Sequence, residues 1–306
     1  MTAEVFPGTG LFARAAAAFA ASVPANPADD GLFGPGSVTW RVHADLSAPV
    51  SGLRALLLQA LHPLAMAGVN QHSQWREDPG GRFASTSAYV LTTTYGERAT
   101  ARAAATRVRK IHQWVRGTDP VTGQPYQAGD PALLLWVHAG LVDSGLAAAD
   151  RFGLRLTPAE QDQYVAEMTA VAELIGMPAG LAPASVADLD GYFAAVRPEL
   201  ATSPAMAEAI GYLLAMPDVE QELGDIWQVV VAAAVSTLPG WARDLHGFGD
   251  GGPQPGTAAP SRDEVRQVLG LLDAIYLGEP GVLEARQRLT LRMRAAQEIS
   301  RARAQA

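Results

Sequence analysis

Histidines are the side chains of this 306-residue sequence best suited to bind a metal, because the chain contains no cysteine. The six histidines are His43, His62, His72, His112, His138 and His246. The sequence predicts a helix from about Glu97 to Arg116 that carries His112 on an apolar seam of small residues. Small neighbours leave room for a large, flat group beside the imidazole. The alternative is a core histidine that only hydrogen-bonds to a carbonyl, which is the commoner fate of a buried imidazole.

Two further histidines lie next to features that can direct a side chain into a pocket. His138 lies between Leu134 and Leu141 on a predicted helix, and the alternative of a hydrogen-bonded core histidine holds for it too. If it has a functional role, we expect it to support a metal ligand sooner than to bind the metal itself. His62 precedes Pro63, which ends or kinks the helix before it. The kink either aims the imidazole into a pocket or marks a plain helix end, and both alternatives stay open.

A basic and a hydroxyl side chain, Arg82 and Thr86, form the second candidate cluster. They lie four residues apart, so they share a face of a helix, and the turn Pro79-Gly80-Gly81 places them near the start of that helix. Such a pair can bind a carboxylate, a haem propionate or an oxygen species on iron. The alternative is a surface arginine paired with Glu77 or Asp78.

The elements that must position these side chains are predicted to be helices, which gives an all-α fold. Helix starts are marked by Asp130-Pro131, by Ser203-Pro204 and by capping boxes that begin at Thr157 and at Ser261. Only Ser37–Asp45 alternates as a strand does, and one short strand cannot form a sheet.

Composition divides the chain into a helical body over residues 1–246, a Gly/Pro-rich linker over 247–260 and C-terminal helices over 261–306. The last helix carries six arginines against two glutamates between Val282 and Ala304. We expect it to pack on the body or on a second copy, so a homo-oligomer is a further expectation. The tryptophans predicted to lie in the core are Trp114, Trp136 and Trp227.

The composition excludes several classes of function. Lys and Arg number 23 against 31 Asp and Glu, and a chain with a net charge of −8 lacks the basic face that nucleic-acid binding needs. The absence of cysteine excludes disulfides, thiolate nucleophiles and metal sites built on cysteine. The chain has no GxGxxG after a predicted strand and no Walker A, HExxH, GxSxG or Glu-x-x-His pattern.

The sequence carries no recognisable export or membrane signal. The longest apolar run, Ile226–Leu238, is interrupted by polar residues and is shorter than the ~20 residues that a spanning helix needs. We therefore expect a cytoplasmic protein without a membrane partner.

A series of motifs runs through roughly residues 35–245. Its members, in chain order, are Leu56-Leu-Leu-Gln-Ala-Leu-His-Pro63, Gln71-His-Ser73, Asp78-Pro79 with Arg82 and Thr86, Tyr95-Gly96, His112 with Val115 and Gly117, Tyr126, Asp130-Pro131, Trp136-Val-His138, Leu156-Thr-Pro-x-Glu160 with Asp162 and Tyr164, and Leu174-Ile-Gly176 with Pro178. This ordered series resembles the MpaB-like oxygenase family, which also contains the latex-clearing proteins, or rubber oxygenases.

The resemblance implies an all-α, globin-like domain around one non-covalent haem b. In the rubber oxygenases, a histidine that His112 matches is the proximal iron ligand. An arginine and a threonine that Arg82 and Thr86 match lie near the haem and are needed for activity, and the counterpart of His138 matters for haem retention. On this resemblance His112 is the expected metal ligand, Arg82 and Thr86 are the expected catalytic residues, and all three bind the cofactor together with His138.

One departure from the rubber oxygenases affects the iron. Those enzymes can use a lysine just before that threonine as a distal ligand, and Ser85 stands at that position here. The chain's only lysine, Lys110, lies off the face that carries His112. The sixth iron position is therefore expected to be open or to be filled by His62 or His72, and cleavage of a polymer is put in doubt.

Together these inferences predict a haem-dependent oxidoreductase that uses dioxygen or peroxide to oxidise a small apolar or aromatic molecule. The alternative is a haem-binding sensor or carrier without turnover. A third hypothesis is a helical domain that binds an apolar ligand or acts as a scaffold. A non-haem iron site would need two histidines and a carboxylate to converge.

Overall fold

Helices form most of the molecule. The computed structural model describes residues 10–215, 221–249, 252–254 and 256–305. The helices in chain order are α1 (Gly10–Ser22), α2 (Val38–His43), α3 (Ala48–Gln59), α4 (Pro63–His72), α5 (Pro79–Tyr95), α6 (Arg98–Trp114), α7 (Pro131–Phe152), α8 (Pro158–Leu174), α9 (Val186–Val196), α10 (Pro204–Ala215), α11 (Gln221–Ser236), α12 (Gly240–His246), α13 (Arg262–Gly278) and α14 (Val282–Gln305). The predicted all-α fold is confirmed.

A small hairpin between α6 and α7 is the one sheet in the described ranges. Its strands, β1 (Arg116–Thr118) and β2 (Pro125–Gln127), pair antiparallel. In the connecting turn, the Asp119 carboxylate accepts hydrogen bonds from the backbone N–H (2.9 Å) and the hydroxyl (2.6 Å) of Thr122. Strands of three residues are too short to show an alternating pattern, so the sequence did not predict them.

Most predicted helix starts are confirmed by their capping bonds. Asp130 accepts a hydrogen bond from Ala132 N (2.9 Å), and Thr157 forms both bonds of its capping box with Glu160. At the start of α13, only the Ser261 half of the predicted capping box forms, through Glu264 N. The predicted end of α10 near Pro217 lies outside the described residues.

The prediction of a strand over Ser37–Asp45 is wrong, because this segment contains α2. The Ser37 hydroxyl caps the helix through Trp40 N (3.1 Å), and the Glu167 carboxylate accepts hydrogen bonds from Val38 N and Thr39 N. The second cap comes from a residue far away in the sequence. The strand-like alternation arises because α2 is covered on several sides, by α5, α7 and α8.

The main core lies between α3, α7 and α11. Trp136 of α7 is fully buried and donates from its indole nitrogen to Gln59 O at the end of α3 (3.0 Å). The chain then bends by 105° between α3 and α4. Pro63 begins α4 and His62 occupies the preceding position, which confirms the predicted break at this proline.

A buried charged network ties the same three helices together. The Arg54 guanidinium donates to the Asp143 carboxylate (2.6 Å), to the Ser144 hydroxyl (2.9 Å) and to Thr237 O (3.0 Å). Arg54 is only 2% exposed and Asp143 is 23% exposed. The network fixes α7 relative to α3 and to the end of α11.

Helix α7 is the one helix in the described ranges that is long and apolar enough by composition to cross a membrane, but 61% of its apolar window is buried inside the molecule. Core helices pass the same test. The two C-terminal helices contact the rest of the fold: α13 packs on α11 and α7, and α14 packs on α1. The division into ranges 1–246, 247–260 and 261–306 remains a prediction.

Candidate functional site

One face of α5 carries polar side chains that become progressively more buried along the helix. Arg82, Thr86, Tyr89 and Thr93 lie at steps of four, three and four residues and therefore share this face. Arg82 and Thr86 are exposed, Tyr89 is half-buried and Thr93 is buried. We call these four residues the α5 polar face.

Another side of α5 packs against α1. The Ser22 and Thr92 hydroxyls lie 3.3 Å apart, and the Phe19 ring meets the Tyr95 ring edge to face at 6.2 Å. These contacts fix the position of α5 relative to α1. The Asp78 carboxylate caps α5 at its first turn through Gly81 N (2.9 Å).

Arg82 and Thr86 form the predicted pair. The Arg82 guanidinium donates to the Thr86 hydroxyl (2.8 Å), which itself donates to Arg82 O (3.1 Å). The alternative pairing of Arg82 with Asp78 is wrong, because Asp78 pairs with Arg14 at 2.8 Å. No carboxylate in the described ranges forms an ion pair with Arg82, Glu77 included.

Arg82 is a cation that solvent and protein both contact. Its side chain is accessible to solvent, yet burial lowers the pKa of its guanidinium. Protein atoms therefore surround part of the side chain. A partly desolvated cation without an ion pair in the described ranges attracts an anionic or strongly polar ligand.

Tyr89 is the polar group at the inner part of this face. Its hydroxyl oxygen is buried and has no hydrogen-bond partner. Burial raises the pKa of Tyr89 to about 12, so the phenol is protonated at neutral pH and can donate a hydrogen bond. A buried hydroxyl without a partner is costly, and it is a candidate to contact a ligand.

His112 lies on α6 within electrostatic range of the α5 polar face. Burial, and next the positive charge of Arg82, lower the pKa of His112, so the imidazole is neutral at neutral pH. Its Nδ1 atom is buried and has no hydrogen-bond partner. The ring is half-buried, so the predicted core position is only partly correct: Ala101 and Ala105 of the same seam are fully buried, and His112 lies at its edge.

His138 is buried in α7, and burial lowers its pKa to about 4. It shares a face with Leu134 and Leu135, which belong to a small apolar cluster at the end of α8. The same end of α8 approaches α6, because Gly176 lies next to the Arg109 side chain. Within the described ranges, no hydrogen bond or charge interaction joins His138 to His112.

Three of the remaining histidines have protein partners. His43 bonds to the Thr94 hydroxyl (2.7 Å) and the Tyr164 hydroxyl (3.1 Å), His72 to the Tyr126 hydroxyl (3.1 Å) and His246 to Leu57 O (2.9 Å). His62 is different. It is 4% exposed, its Nδ1 atom is buried without a partner, and its Nε2 atom lies 3.8 Å from Glu199.

The comparison with known families bears directly on this site. The family model described as "ER-bound oxygenase mpaB/B'/Rubber oxygenase, catalytic domain" matches residues 40–273, well over half of the chain. The chain belongs to this family. The matched range of this mpaB/rubber oxygenase domain includes α5, α6 and α7 with all the predicted site residues. No curated protein and no solved structure matches the chain.

The mpaB/rubber oxygenase domain is an oxygenase catalytic domain, so an oxygenase-type function is supported. The structure brings Arg82, Thr86 and His112 into one neighbourhood and leaves His138 in the adjacent core. Among the described residues, no three His, Asp or Glu side chains converge as a protein-only metal site would require. Tyr89 was not predicted, although its position seven residues after Arg82 could have indicated it.

Proposed function

We propose that this protein is a haem b-dependent oxidoreductase in which His112 would bind the iron. The observation that carries the proposal is the neutral His112 imidazole, whose buried Nδ1 atom has no protein partner beside the Arg82 cation. A metal-free histidine with a structural role would donate to a carbonyl or hydroxyl, as His43 and His246 do.

The residues present fit a haem better than a metal held by protein alone. Haem iron needs one or two protein ligands, since the porphyrin supplies four nitrogens, whereas non-haem iron usually needs three side chains that converge. Within the described ranges such a cluster is absent. A neutral imidazole is also the protonation state that binds metal.

When bound, the haem would supply the oxidation chemistry with dioxygen or peroxide. Arg82 would hold an anionic group, either a haem propionate or a polar part of the substrate, through charge-assisted hydrogen bonds. Thr86 keeps the Arg82 side chain in place, because its hydroxyl accepts one of the guanidinium hydrogens (2.8 Å). We further propose that the α5 polar face lines a recess for the substrate, in which the protonated Tyr89 phenol would donate a hydrogen bond.

The residues beside the α5 polar face favour a small apolar or aromatic substrate. Phe83 and Val90 flank this face and are half-buried. Aromatic and aliphatic walls with few polar groups bind apolar molecules and exclude water from the reacting atoms. His138 would support the cofactor from the adjacent core as a neutral side chain.

A haem sensor or carrier without turnover is the second candidate, and His62 is the observation in its favour. Like His112, His62 has a buried Nδ1 atom without a partner, and burial lowers its pKa. With two histidines bound to it, the iron would not bind dioxygen. We also propose that the partners of this protein are its substrate and its oxidant, and that nucleic acid is not a partner. The protein is further proposed to act in the cytoplasm, alone or as a homo-oligomer.

Visible absorption spectra of the purified, haem-reconstituted protein test both candidates. We expect a Soret band that carbon monoxide shifts in the reduced state, and loss of stoichiometric haem in His112→Ala. His246→Gln is the matched control, because glutamine can still donate to Leu57 O and haem binding should persist. A spectrum unaffected by carbon monoxide supports the carrier, and failure of the wild-type protein to bind haem refutes both.

A further inference from the structure

The outer face of α6 combines exposed apolar and basic side chains. Four side chains share one side of α6 because their spacing follows the helical period: Arg107, Lys110, Ile111 and Trp114. We call these four residues the α6 outer face. Trp114 is 77% exposed and Ile111 is 54% exposed. The prediction that Trp114 lies in the core is therefore wrong, because this tryptophan belongs to a side of α6 that is exposed in the described part of the chain.

The charge of α6 is opposite to that of the whole chain. The helix carries five basic side chains, Arg98, Arg102, Arg107, Arg109 and Lys110, and no acidic one, in a protein with a net charge of −8. In the ranges that the structure describes, neither Arg107 nor Lys110 forms an ion pair. Their positive charge is therefore available to a partner.

In place of the expectation from sequence that the protein has no membrane partner, we propose that the α6 outer face docks on a membrane surface that contains anionic phospholipids. Lys110 and Arg107 would contact the phosphate and carboxylate groups of the lipids, and Trp114 would occupy the interface between headgroups and acyl chains, where tryptophan is favoured. Ile111 would insert between them into the apolar boundary. A basic helix with an exposed tryptophan and an aliphatic neighbour is the pattern of interfacial helices.

Two other occupants fit this surface less well. In a symmetric contact with a second copy, Arg107 and Lys110 would face the same residues of the partner, and like charges would repel. A nucleic acid would attract the charges and could stack on Trp114, but it offers no apolar environment to Ile111. An anionic bilayer accommodates the charges, the indole and the aliphatic side chain together.

Docking would place the candidate site close to the membrane. His112 lies on the side of α6 that faces into the protein, roughly opposite Trp114. The two sides of a helix are about 10 Å apart. An apolar substrate dissolved in the membrane would then have a short path to the recess. Docking on the membrane requires no haem. Membrane binding can therefore be tested independently of the proposed haem-dependent function.

Flotation with lipid vesicles tests the proposal. We expect the wild-type protein to float with vesicles of phosphatidylcholine and phosphatidylserine but not with phosphatidylcholine alone, and the binding to weaken as salt is raised. Arg107→Glu and Lys110→Glu should each weaken binding by at least about five-fold, and Trp114→Ser should weaken it by a similar factor. All three positions are exposed, so the fold should be unaffected, as circular dichroism would show.

The matched control is the double variant Arg301→Glu, Arg303→Glu, which changes the net charge by the same amount as both α6 replacements combined, at two exposed positions of α14. It should float as the wild type does. Equal loss in this control would mean that net charge alone matters and would overturn the proposal. So would absence of vesicle binding by the wild type, or binding to single-stranded RNA through these residues without any binding to vesicles.

Discussion

Replacing Tyr89 by phenylalanine should stabilise the ligand-free protein, although most substitutions of buried residues destabilise. The Tyr89 hydroxyl is buried without a partner, so folding removes it from water without compensation. Leaving a buried polar group unsatisfied costs about 1–3 kcal/mol. Removing the oxygen recovers much of this energy and keeps the ring. The expected gain in the free energy of unfolding corresponds to a rise in Tm of roughly 2–6 °C.

Two other tyrosines make this experiment decisive. Tyr95 is fully buried and its hydroxyl also has no hydrogen-bond partner in the described ranges, so Tyr95→Phe should stabilise the protein in the same direction. The Tyr164 hydroxyl is bonded to His43 Nε2 (3.1 Å), so Tyr164→Phe should destabilise by about 1–3 kcal/mol. Differential scanning calorimetry of the four ligand-free proteins measures all the shifts.

The same variants separate stability from function. If the Tyr89 phenol donates to a ligand in the recess, the haem-loaded ferric protein should bind azide about two- to ten-fold more weakly in Tyr89→Phe. Tyr95→Phe should bind azide as the wild type does, because its ring lies in the cluster with Trp40. A destabilised ligand-free Tyr89→Phe, or unchanged azide affinity, would refute the assignment of this hydroxyl to the site.

Two further predictions concern the core. Asp143→Ala should lower the free energy of unfolding by about 3–5 kcal/mol, because it leaves the buried Arg54 charge unpaired. The double variant Asp143→Ala, Arg54→Met should recover most of this loss, as measured by urea titration. An equal loss of stability in the single and the double variant would contradict this prediction. Stability should also fall as the pH drops from 6.5 towards 4. Burial lowers the pKa of His43 and His138 to about 4 in the folded protein. Between pH 6.5 and 4 these imidazoles are therefore protonated in the unfolded chain but still neutral in the folded protein, which favours unfolding. Urea midpoints measured between pH 6.5 and 4 test this prediction. In His138→Gln the midpoint should depend less steeply on pH.

The sequence predicted those features that depend on local patterns. Helix starts at Asp130 and Thr157 follow from capping residues that act within three positions of themselves, and the pairing of Arg82 with Thr86 follows from helical spacing. These interactions can be predicted from sequence because they join residues on neighbouring turns of one helix and do not depend on tertiary contacts.

Features that depend on distant contacts were not predictable in the same way. The pattern of Ser37–Asp45 predicts a strand, because the Glu167 cap of α2 and its burial against three helices are tertiary contacts that the local sequence does not show. Residue type predicts that Trp114 lies in the core, but its side of α6 is exposed in the described ranges. The partnerless state of the His112 and Tyr89 polar atoms is likewise visible only in three dimensions.

The central claim, that the His112 imidazole binds haem iron, is tested most directly by His112→Gly with and without added imidazole. Glycine removes the ring and leaves a space in which free imidazole can bind. We predict that the variant loses stoichiometric haem and that imidazole restores haem binding, whereas His246→Gln binds haem with the wild-type spectrum when no imidazole is added. A His112→Gly variant that holds haem with the wild-type spectrum and ignores imidazole would contradict the claim.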